Sequence, residues 1–186
     1  MKKINLPLTE ETALSLKAGD SVLLSGYIYT SRDAGHKRMC EALARGEKLP
    51  FDAKDSVIYY VGPTPQRDGH IIGSAGPTTS GRMDAYAPTL MQKGVRGMIG
   101  KGERNAEVIE AIKEYKCVYF GAIGGAGALL SKCVKSNEAV AYEDLGAEAL
   151  RKLYVEDMPL TVIVDCFGNN LYRIGRENYL KNNSGF

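Results

Sequence analysis

The sequence predicts an α/β fold, a mixed β-sheet flanked by helices, in a single domain that covers residues 1–186. Two observations carry this prediction. Short β-branched and aromatic runs alternate with helical patterns through the middle of the chain, and further strand-like runs stand at both ends. No linker, internal repeat or low-complexity segment interrupts the pattern, so we expect no domain boundary.

The expected elements follow from local patterns. The strands are predicted at residues 2–6, 20–29, 56–61, 70–74, 95–99, 117–120, 140–142 and 161–165. Helices are predicted after a Thr9 N-cap, from the turn at residues 30–33 to about 45, from about 81 to 94, over 103–115, and around 129–130. The helix over 103–115 has the clearest apolar stripe. Gly168-Asn169-Asn170 predicts a hairpin turn.

Composition excludes several classes of function. The net charge of +2 does not favour a nucleic-acid or membrane partner. No apolar run approaches the roughly 18 residues of a membrane span, and the N-terminal residues lack the apolar stretch of a signal peptide. We therefore expect a cytoplasmic protein.

The four cysteines are Cys40, Cys117, Cys133 and Cys166, which are far apart and form no Cys-x-x-Cys pair. This spacing is not that of a zinc or ferredoxin site. The cysteines are interpreted as small buried hydrophobic residues in a reducing compartment, and no metal or cofactor ligand is expected in this chain.

Loops rich in small residues follow several predicted strands, where ligands bind in open α/β sheets. They comprise residues 31–33, 76–82, 100–102 and 124–127. Arg32, Arg82 and Lys101 place three cations on these loops, which suits a small dicarboxylate because arginine can clamp a carboxylate through two hydrogen bonds. Arg32 pairing only with Asp33 or Glu41, or a solvated charged face, are the alternatives. The glycine spacings match neither a phosphate loop nor a dinucleotide loop.

Histidine is the commonest catalytic base, and the chain has two. His36 stands one helical turn after Arg32, so it could support that residue. His70 is interpreted as a surface residue.

A family resemblance rests on motifs in a fixed order. They are Ser31-Arg32-Asp33-Ala34-Gly35-His36, Gly62-Pro63, Gly76-Pro77-Thr78-Thr79-Ser80-Gly81-Arg82-Met83-Asp84, Gly100-Lys101-Gly102 and Gly124-Gly125-Ala126-Gly127-Ala128-Leu129. Across nearly the whole chain, this order resembles the β subunit, or C-terminal domain, of class I iron–sulfur fumarases and of the related L-tartrate dehydratases. The block over residues 76–84 is the most specific part.

The resemblance implies a swivelling β/β/α domain and a hydro-lyase that hydrates fumarate reversibly to L-malate. It implies a partner α subunit that holds a [4Fe-4S] cluster through three cysteines, with one open iron acting as a Lewis acid. Arg32, Arg82 and Lys101 correspond to the cations that bind substrate, and Thr78 to the proposed base. Activity would therefore require the α subunit.

Two other functions stay open at this point. One is the β subunit of L-tartrate dehydratase, although Gly81, Asp84 and the block over residues 124–129 look more like the fumarase version. The other is a non-catalytic module that binds a small anion. On its own the chain is expected to fold, to lack a cluster and to expose an apolar rim, so a homo-oligomer is a further alternative.

Overall fold

A computed structural model describes residues 1–66, 68–122 and 127–183. The strands are β1 (Lys2–Asn5), β2 (Ser21–Thr30), β3 (Val57–Tyr59), β4 (Gly97–Gly100), β5 (Val118–Gly121), β6 (Val134–Ala141) and β7 (Leu150–Val164). The α-helices are α1 (Glu10–Ser15), α2 (Asp33–Ala44), α3 (Ala87–Gln92), α4 (Ala106–Tyr115), α5 (Gly127–Lys132) and α6 (Leu171–Asn183). Two 3₁₀ helices cover Ser80–Met83 and Glu143–Glu148.

The sheet is mixed and has the strand order β1-β2-β3-β4-β5-β7-β6. Strands β1 to β5 are parallel to their neighbours, whereas β7 runs antiparallel to β2, β5 and β6. Since β7 pairs with both β2 and β5, strands β2, β3, β4, β5 and β7 form a closed ring. The predicted mixed α/β architecture is confirmed.

Alternation along the strands separates two hydrophobic cores. On β5, Val118 and Phe120 belong to one buried cluster and Tyr119 to the other. The first cluster collects the inward residues of the ring. The second packs the outer face of the ring against residues of α2, α3 and α4. Successive side chains of a strand point to opposite faces, so one short strand serves both cores.

Most predicted elements are present. Thr9 caps α1 as expected, because its hydroxyl accepts a hydrogen bond from Thr12 N at 3.2 Å. The helix predicted over residues 81–94 is instead a 3₁₀ turn followed by α3. Strands β6 and β7 are much longer than the runs predicted there. No helix in the described part of the chain is long and apolar enough to cross a membrane.

Two predicted features are wrong. Residues 70–74 form no strand; Thr64 N donates to Ser74 O at 3.0 Å and the Thr64 hydroxyl accepts from Ser74 N at 2.8 Å, a turn rather than a ladder. The turn after Gly168 leads into α6 and not into a hairpin strand. Asn170 Oδ1 accepts from Tyr172 N at 3.0 Å, as an N-terminal cap does.

Parallel pairing determines where the loops lie. β2, β3, β4 and β5 end at Thr30, Tyr59, Gly100 and Gly121, and their carboxyl ends share one edge of the sheet. The predicted loops over 31–33, 76–82 and 100–102 therefore meet at this edge. Gly124, Gly125 and Ala126 of the fourth loop lie outside the described residues.

Candidate active site

Arg32 lies immediately after β2, at the N-cap position of α2. Its side chain runs across Gly62, where a Cβ atom would stand only 3.0 Å from Cδ and from Nη1 of Arg32. The side chain is 24% exposed, yet its Nε atom is buried without a hydrogen-bond partner among the described residues. A buried donor without an acceptor is costly, and a ligand oxygen would satisfy it.

Arg82 lies in the first 3₁₀ helix, Ser80–Met83, and its side chain reaches the same place as that of Arg32. Its Nη2 lies 2.5 Å from Asp33 Oδ2, while Arg32 Nε lies 3.7 Å from Asp33 Oδ1. One carboxylate therefore stands between two guanidinium groups from loops distant in sequence. We call Arg32 and Arg82 the arginine clamp. The sequence predicts that Arg32, Arg82 and Lys101 converge on one anion site. Arg32 and Arg82 meet at the Asp33 carboxylate, and no contact among the described residues joins Lys101 to it.

A second carboxylate, from a residue distant in sequence, also contacts Arg32. Glu148, the last residue of the second 3₁₀ helix, places Oε1 3.4 Å from Arg32 Nη2. Its Oε2 accepts from Ala34 N at 3.1 Å. At 3.4 and 3.7 Å, the two contacts of Arg32 are longer than good hydrogen bonds. The acidic neighbours thus hold Arg32 loosely, although Asp33 pairs closely with Arg82, so another anion could replace them at Arg32.

Thr78 and Lys101 lie on neighbouring loops at the same edge. Thr78 is half-buried, and its backbone N donates to Tyr60 O at 2.8 Å, just beyond the end of β3. Thr79 forms a parallel bridge with Lys101, and Ser80 N donates to Lys101 O at 2.9 Å. The Lys101 side chain is exposed and forms no ion pair with any residue that the structure describes.

A buried ion pair fixes the loop that carries Arg82. Arg104 Nε donates to Asp84 Oδ1 at 2.6 Å, and Asn105 N donates to Asp84 Oδ2 at 2.7 Å. The Arg104 guanidinium lies 5.3 Å from the ring centre of Tyr60 and 5.0 Å from that of Tyr119. We call Asp84 and Arg104 the scaffold pair. Sequence reasoning noted Asp84 only as part of a motif and missed Arg104.

Tyr119 joins the two loops through its hydroxyl group. It donates to Gly102 O at 2.9 Å and accepts from the Ser80 hydroxyl at 2.8 Å. Burial raises the pKa of Tyr119, so the phenol stays protonated and keeps its donor role. Gly100 leaves room for this arrangement, because a Cβ atom there would collide with the Ser80 hydroxyl. The positions of Thr78 and Lys101 thus depend on a buried hydrogen-bonded framework.

His36 fixes the backbone of Arg32. Its Nδ1 lies 2.9 Å from Arg32 O and 2.9 Å from the Ser31 hydroxyl. Burial lowers the pKa of His36 to about 4, so the ring is neutral near pH 7, and Nδ1–H donates to the carbonyl. The expected supporting place of His36 agrees with this geometry. His70 is exposed, as predicted.

The described residues do not fit an iron–sulfur cluster. Cys117 and Cys166 are buried, Cys40 and Cys133 are half-buried, and all four are free thiols. Burial raises the pKa of each, to about 12 for Cys117, which opposes the thiolate form that binds metal. In the part of the chain that the structure describes, no group of three or more His, Cys, Asp or Glu residues is placed to hold a metal ion.

Comparison with known proteins gives consistent matches. The family model described as "Fumarase C-terminus" matches residues 1–175. The chain is 39% identical to the aerobic class I fumarate hydratase of Salmonella typhimurium, over 91% of this chain and 30% of that protein. It is 40% identical to fumarate hydratase 2 of Leishmania major, over 83% of this chain and 28% of that protein.

A third relative has nearly the same length. The chain is 38% identical to a Methanocaldococcus jannaschii protein provisionally named L(+)-tartrate dehydratase subunit beta, over 95% of this chain and 94% of that protein. By contrast, the chain spans less than a third of the length of the Salmonella typhimurium and Leishmania major fumarate hydratases.

Proposed function

The chain belongs to the Fumarase C-terminus family, and on that premise we propose that it is the β subunit of a two-subunit hydro-lyase that hydrates fumarate reversibly to L-malate. One observation carries the proposal most. Arg32 and Arg82 converge on a single carboxylate, that of Asp33. A substrate carboxylate has the same charge and the same pair of oxygens, so the pairing of Asp33 with both arginines supports carboxylate binding at this position.

The clamp binds and orients the substrate. Each guanidinium offers planar paired donors that match a carboxylate, and Arg32 Nε already lacks a partner among the described residues. Lys101, without an ion pair there, adds a point charge from the neighbouring loop. Together they hold a small dicarboxylate at the edge of the sheet where Thr78 lies.

Thr78 transfers the proton at the substrate carbon. A hydroxyl group is a weak base unless nearby cations stabilise its alkoxide. Arg82 lies on the same loop as Thr78, and Lys101 lies on the adjoining loop. Both provide positive charge there. Support comes from the Thr78 backbone bond to Tyr60 O, which fixes the residue at the strand end.

The [4Fe-4S] cluster belongs to the α subunit in this proposal. The described residues of this chain offer no suitable ligand set. The swivelling β/β/α domain, the single domain over residues 1–186 and the cytoplasmic location stay predictions of the sequence. The homo-oligomer stays an alternative.

The β subunit of L-tartrate dehydratase is the second candidate. The observation that favours it is the relative from Methanocaldococcus jannaschii, which alone of the three described above matches over nearly its whole length. The same clamp would bind tartrate, which is also a small dicarboxylate. A non-catalytic module for small anions would use the same cations without needing Thr78.

Co-expression with a candidate α subunit under anaerobic conditions tests these functions. We expect turnover of fumarate and L-malate and little of tartrate. Turnover of tartrate with little of fumarate and L-malate would establish the tartrate enzyme. No turnover of any of the three substrates would favour the binding module.

Within the active complex, Thr78→Ala should lower kcat by about 10²-fold or more with a smaller change in KM. Thr79→Ala, one residue further, is the matched control and should retain most activity. A Thr78→Ala complex that turns over like the wild type would remove Thr78 from the mechanism.

Arg82→Lys in the same complex tests the clamp. The variant keeps the charge but loses the planar fork, so kcat/KM should fall by about tenfold or more. Arg38→Lys, an exposed arginine that pairs with Asp144 on the surface, is the matched control and should have no effect. Equal activity of the Arg82→Lys and wild-type complexes would exclude bidentate binding by Arg82.

A further inference from the structure

A cavity of about 270 Å³ lies next to the clamp and is distinct from it. The two places adjoin at Gly62, which faces both the Arg32 side chain and the carbonyl of Ala147, a residue that lines the cavity. Neither arginine of the clamp is among its lining residues. The residues that shape it are Pro63, Pro65, Ile72, Asn137, Ala147 and Arg151.

Arg151 is the charged residue of this cavity, and its orientation is fixed. Its Nη1 donates to Asn137 Oδ1 at 3.2 Å. The amide of Asn137 is oriented in turn, because its Nδ2 donates to Ile71 O at 3.1 Å. Arg151 and Asn137 stand on the paired strands β7 and β6, where Arg151 is opposite Ala139. The guanidinium is therefore held by a neutral partner on a rigid sheet.

The charge of Arg151 has no counterion in the described part of the chain. No ion pair and no second hydrogen bond of its side chain occurs there, and none of the lining residues is acidic. The other arginines at this edge each have a carboxylate partner, as Arg32, Arg82 and Arg104 do. Free guanidinium donors in a concave site favour an anion.

Part of the remaining wall is apolar, although Thr64 and Gln66 also line the cavity. Pro63, Pro65 and Ile72 offer hydrocarbon surface opposite a cation, which suits a ligand with a short carbon chain better than a bare inorganic ion. We propose that this cavity is a second anion site that binds a small organic carboxylate through Arg151. The site is separate from the proposed catalytic function and would bind its ligand without the α subunit.

Titration of the isotope-labelled 186-residue chain with butyrate at constant ionic strength tests this site. Backbone amides of Gly73, Asn137 and Ala147 should shift with one dissociation constant. Arg151→Gln should weaken that binding by about tenfold or more, the loss of a charge-assisted hydrogen bond. Lys152→Gln removes a charge from the next residue of β7, whose side chain lies over Tyr27, and should change the affinity less than about twofold.

Each alternative result has a defined meaning. Unchanged affinity in Arg151→Gln, or no shift at the three amides, would overturn the proposal. Inorganic phosphate that binds there as tightly as butyrate would also overturn it, since the apolar wall would then play no part. If Arg151→Gln fails to fold, Asn137→Leu replaces it, with a loss of about fivefold expected because the guanidinium loses its orienting partner. Arg32→Gln should abolish turnover in the complex with the α subunit and leave butyrate binding by the chain intact. This difference separates the cavity from the catalytic proposal.

Discussion

The scaffold pair and the arginine clamp use the same chemical groups in opposite ways. Asp84 and Arg104 lie 2.6 Å apart, with side chains 8% and 0% exposed. In the clamp, Arg82 lies 2.5 Å from Asp33 and Arg32 lies 3.4 Å from Glu148, so exposure rather than distance distinguishes the two sets: the side chains of Arg32 and Glu148 are about a quarter exposed and that of Arg82 is half exposed. Both sets join arginines to carboxylates, and they stand on adjoining loops.

The difference separates a structural role from a binding role. A buried pair loses much of its hydration, so breaking it leaves an uncompensated charge. A half-exposed pair contributes little to folding, and water or another anion can take the place of either partner. The scaffold pair thus holds the loops at the strand ends, whereas in the proposed function the clamp exchanges Asp33 and Glu148 for a substrate.

Removing one member of the scaffold pair should have the largest effect. Asp84→Ala leaves Arg104 buried without its carboxylate, so we expect the free energy of unfolding to fall by about 3–5 kcal/mol. Urea denaturation of the isolated chain measures this change. The matched control is Glu148→Ala, which breaks a partly exposed pair and the hydrogen bond from Ala34 N, and should cost about 1–2 kcal/mol. Equal losses in the two variants would erase the distinction between the pairs.

His36 should give the next largest effect, through pH. Its pKa is lowered to about 4 from an ordinary value of 6.5, so the unfolded chain binds more protons than the folded chain between these pH values. Stability should therefore fall as the pH drops from 6.5 towards 4, by about 3 kcal/mol in total from this group.

Comparing His36→Gln with the wild type by urea denaturation at pH 7 and pH 4.5 measures the contribution of His36. The variant should lose less stability on acidification, and the exposed His70→Gln should behave like the wild type. An unchanged pH dependence in His36→Gln would mean that the ring is not held neutral, and the clamp backbone would lack its proposed support.

A methyl group at Gly62 should disturb the clamp and spare the scaffold. In Gly62→Ala, the new Cβ atom would lie 3.0 Å from two atoms of the Arg32 side chain, which must move. We expect L-malate binding to weaken by about 1 kcal/mol, roughly fivefold, with a smaller change in stability. Calorimetric titration measures the affinity. The control is Gly175→Ala, because a Cβ atom there meets no neighbouring atom. Gly46 also has open space, but its positive φ would strain an alanine. Unaltered malate affinity would show that Arg32 need not pass over Gly62.

Neutralising Glu148 should have the smallest effect and the opposite sign. Glu148→Gln removes a charge that competes with substrate for Arg32, so L-malate should bind about two- to fivefold more tightly, with stability changed by less than about 1 kcal/mol. The same titration measures the affinity. Glu138→Gln, an acidic residue of β6, is the control and should leave it unchanged. Weaker binding in Glu148→Gln would mean that Glu148 positions Arg32 rather than blocking it.

The sequence was informative where local patterns decide the structure. Strand runs such as Val118–Phe120 and the apolar stripe of α4 identify their elements directly. Because parallel strands end at one edge, placing loops after strands predicted that Arg32, Arg82 and Lys101 converge; the two arginines meet at Asp33, whereas the convergence of Lys101 stays a prediction. The actual length of β7 was hidden by its charged residues, such as Lys152 and Glu156, which its pairing with several strands accommodates.

Residues that act through distant contacts could not be predicted. Arg104 is enclosed by Tyr60, which follows β3, and by Tyr119 of β5, both distant from it in sequence. Glu148 approaches α2 from 114 residues beyond Ala34, and nothing in its local sequence indicates this. The one available signal for Arg104 was its position in the sequence. It stands two residues after the Gly-Lys-Gly turn and next to Asn105, the N-cap of α4.

Nitrogen NMR of the arginine side chains during titration with L-malate compares the two sets of ion pairs most directly. The chain would carry Arg151→Gln, so that the second anion site does not contribute. The Nε signals of Arg32 and Arg82 should shift together with one dissociation constant, while that of Arg104 stays in place. Shifts of Arg104 as large as those of the clamp, separate dissociation constants for Arg32 and Arg82, or no shift of either would contradict a replaceable clamp on a fixed scaffold.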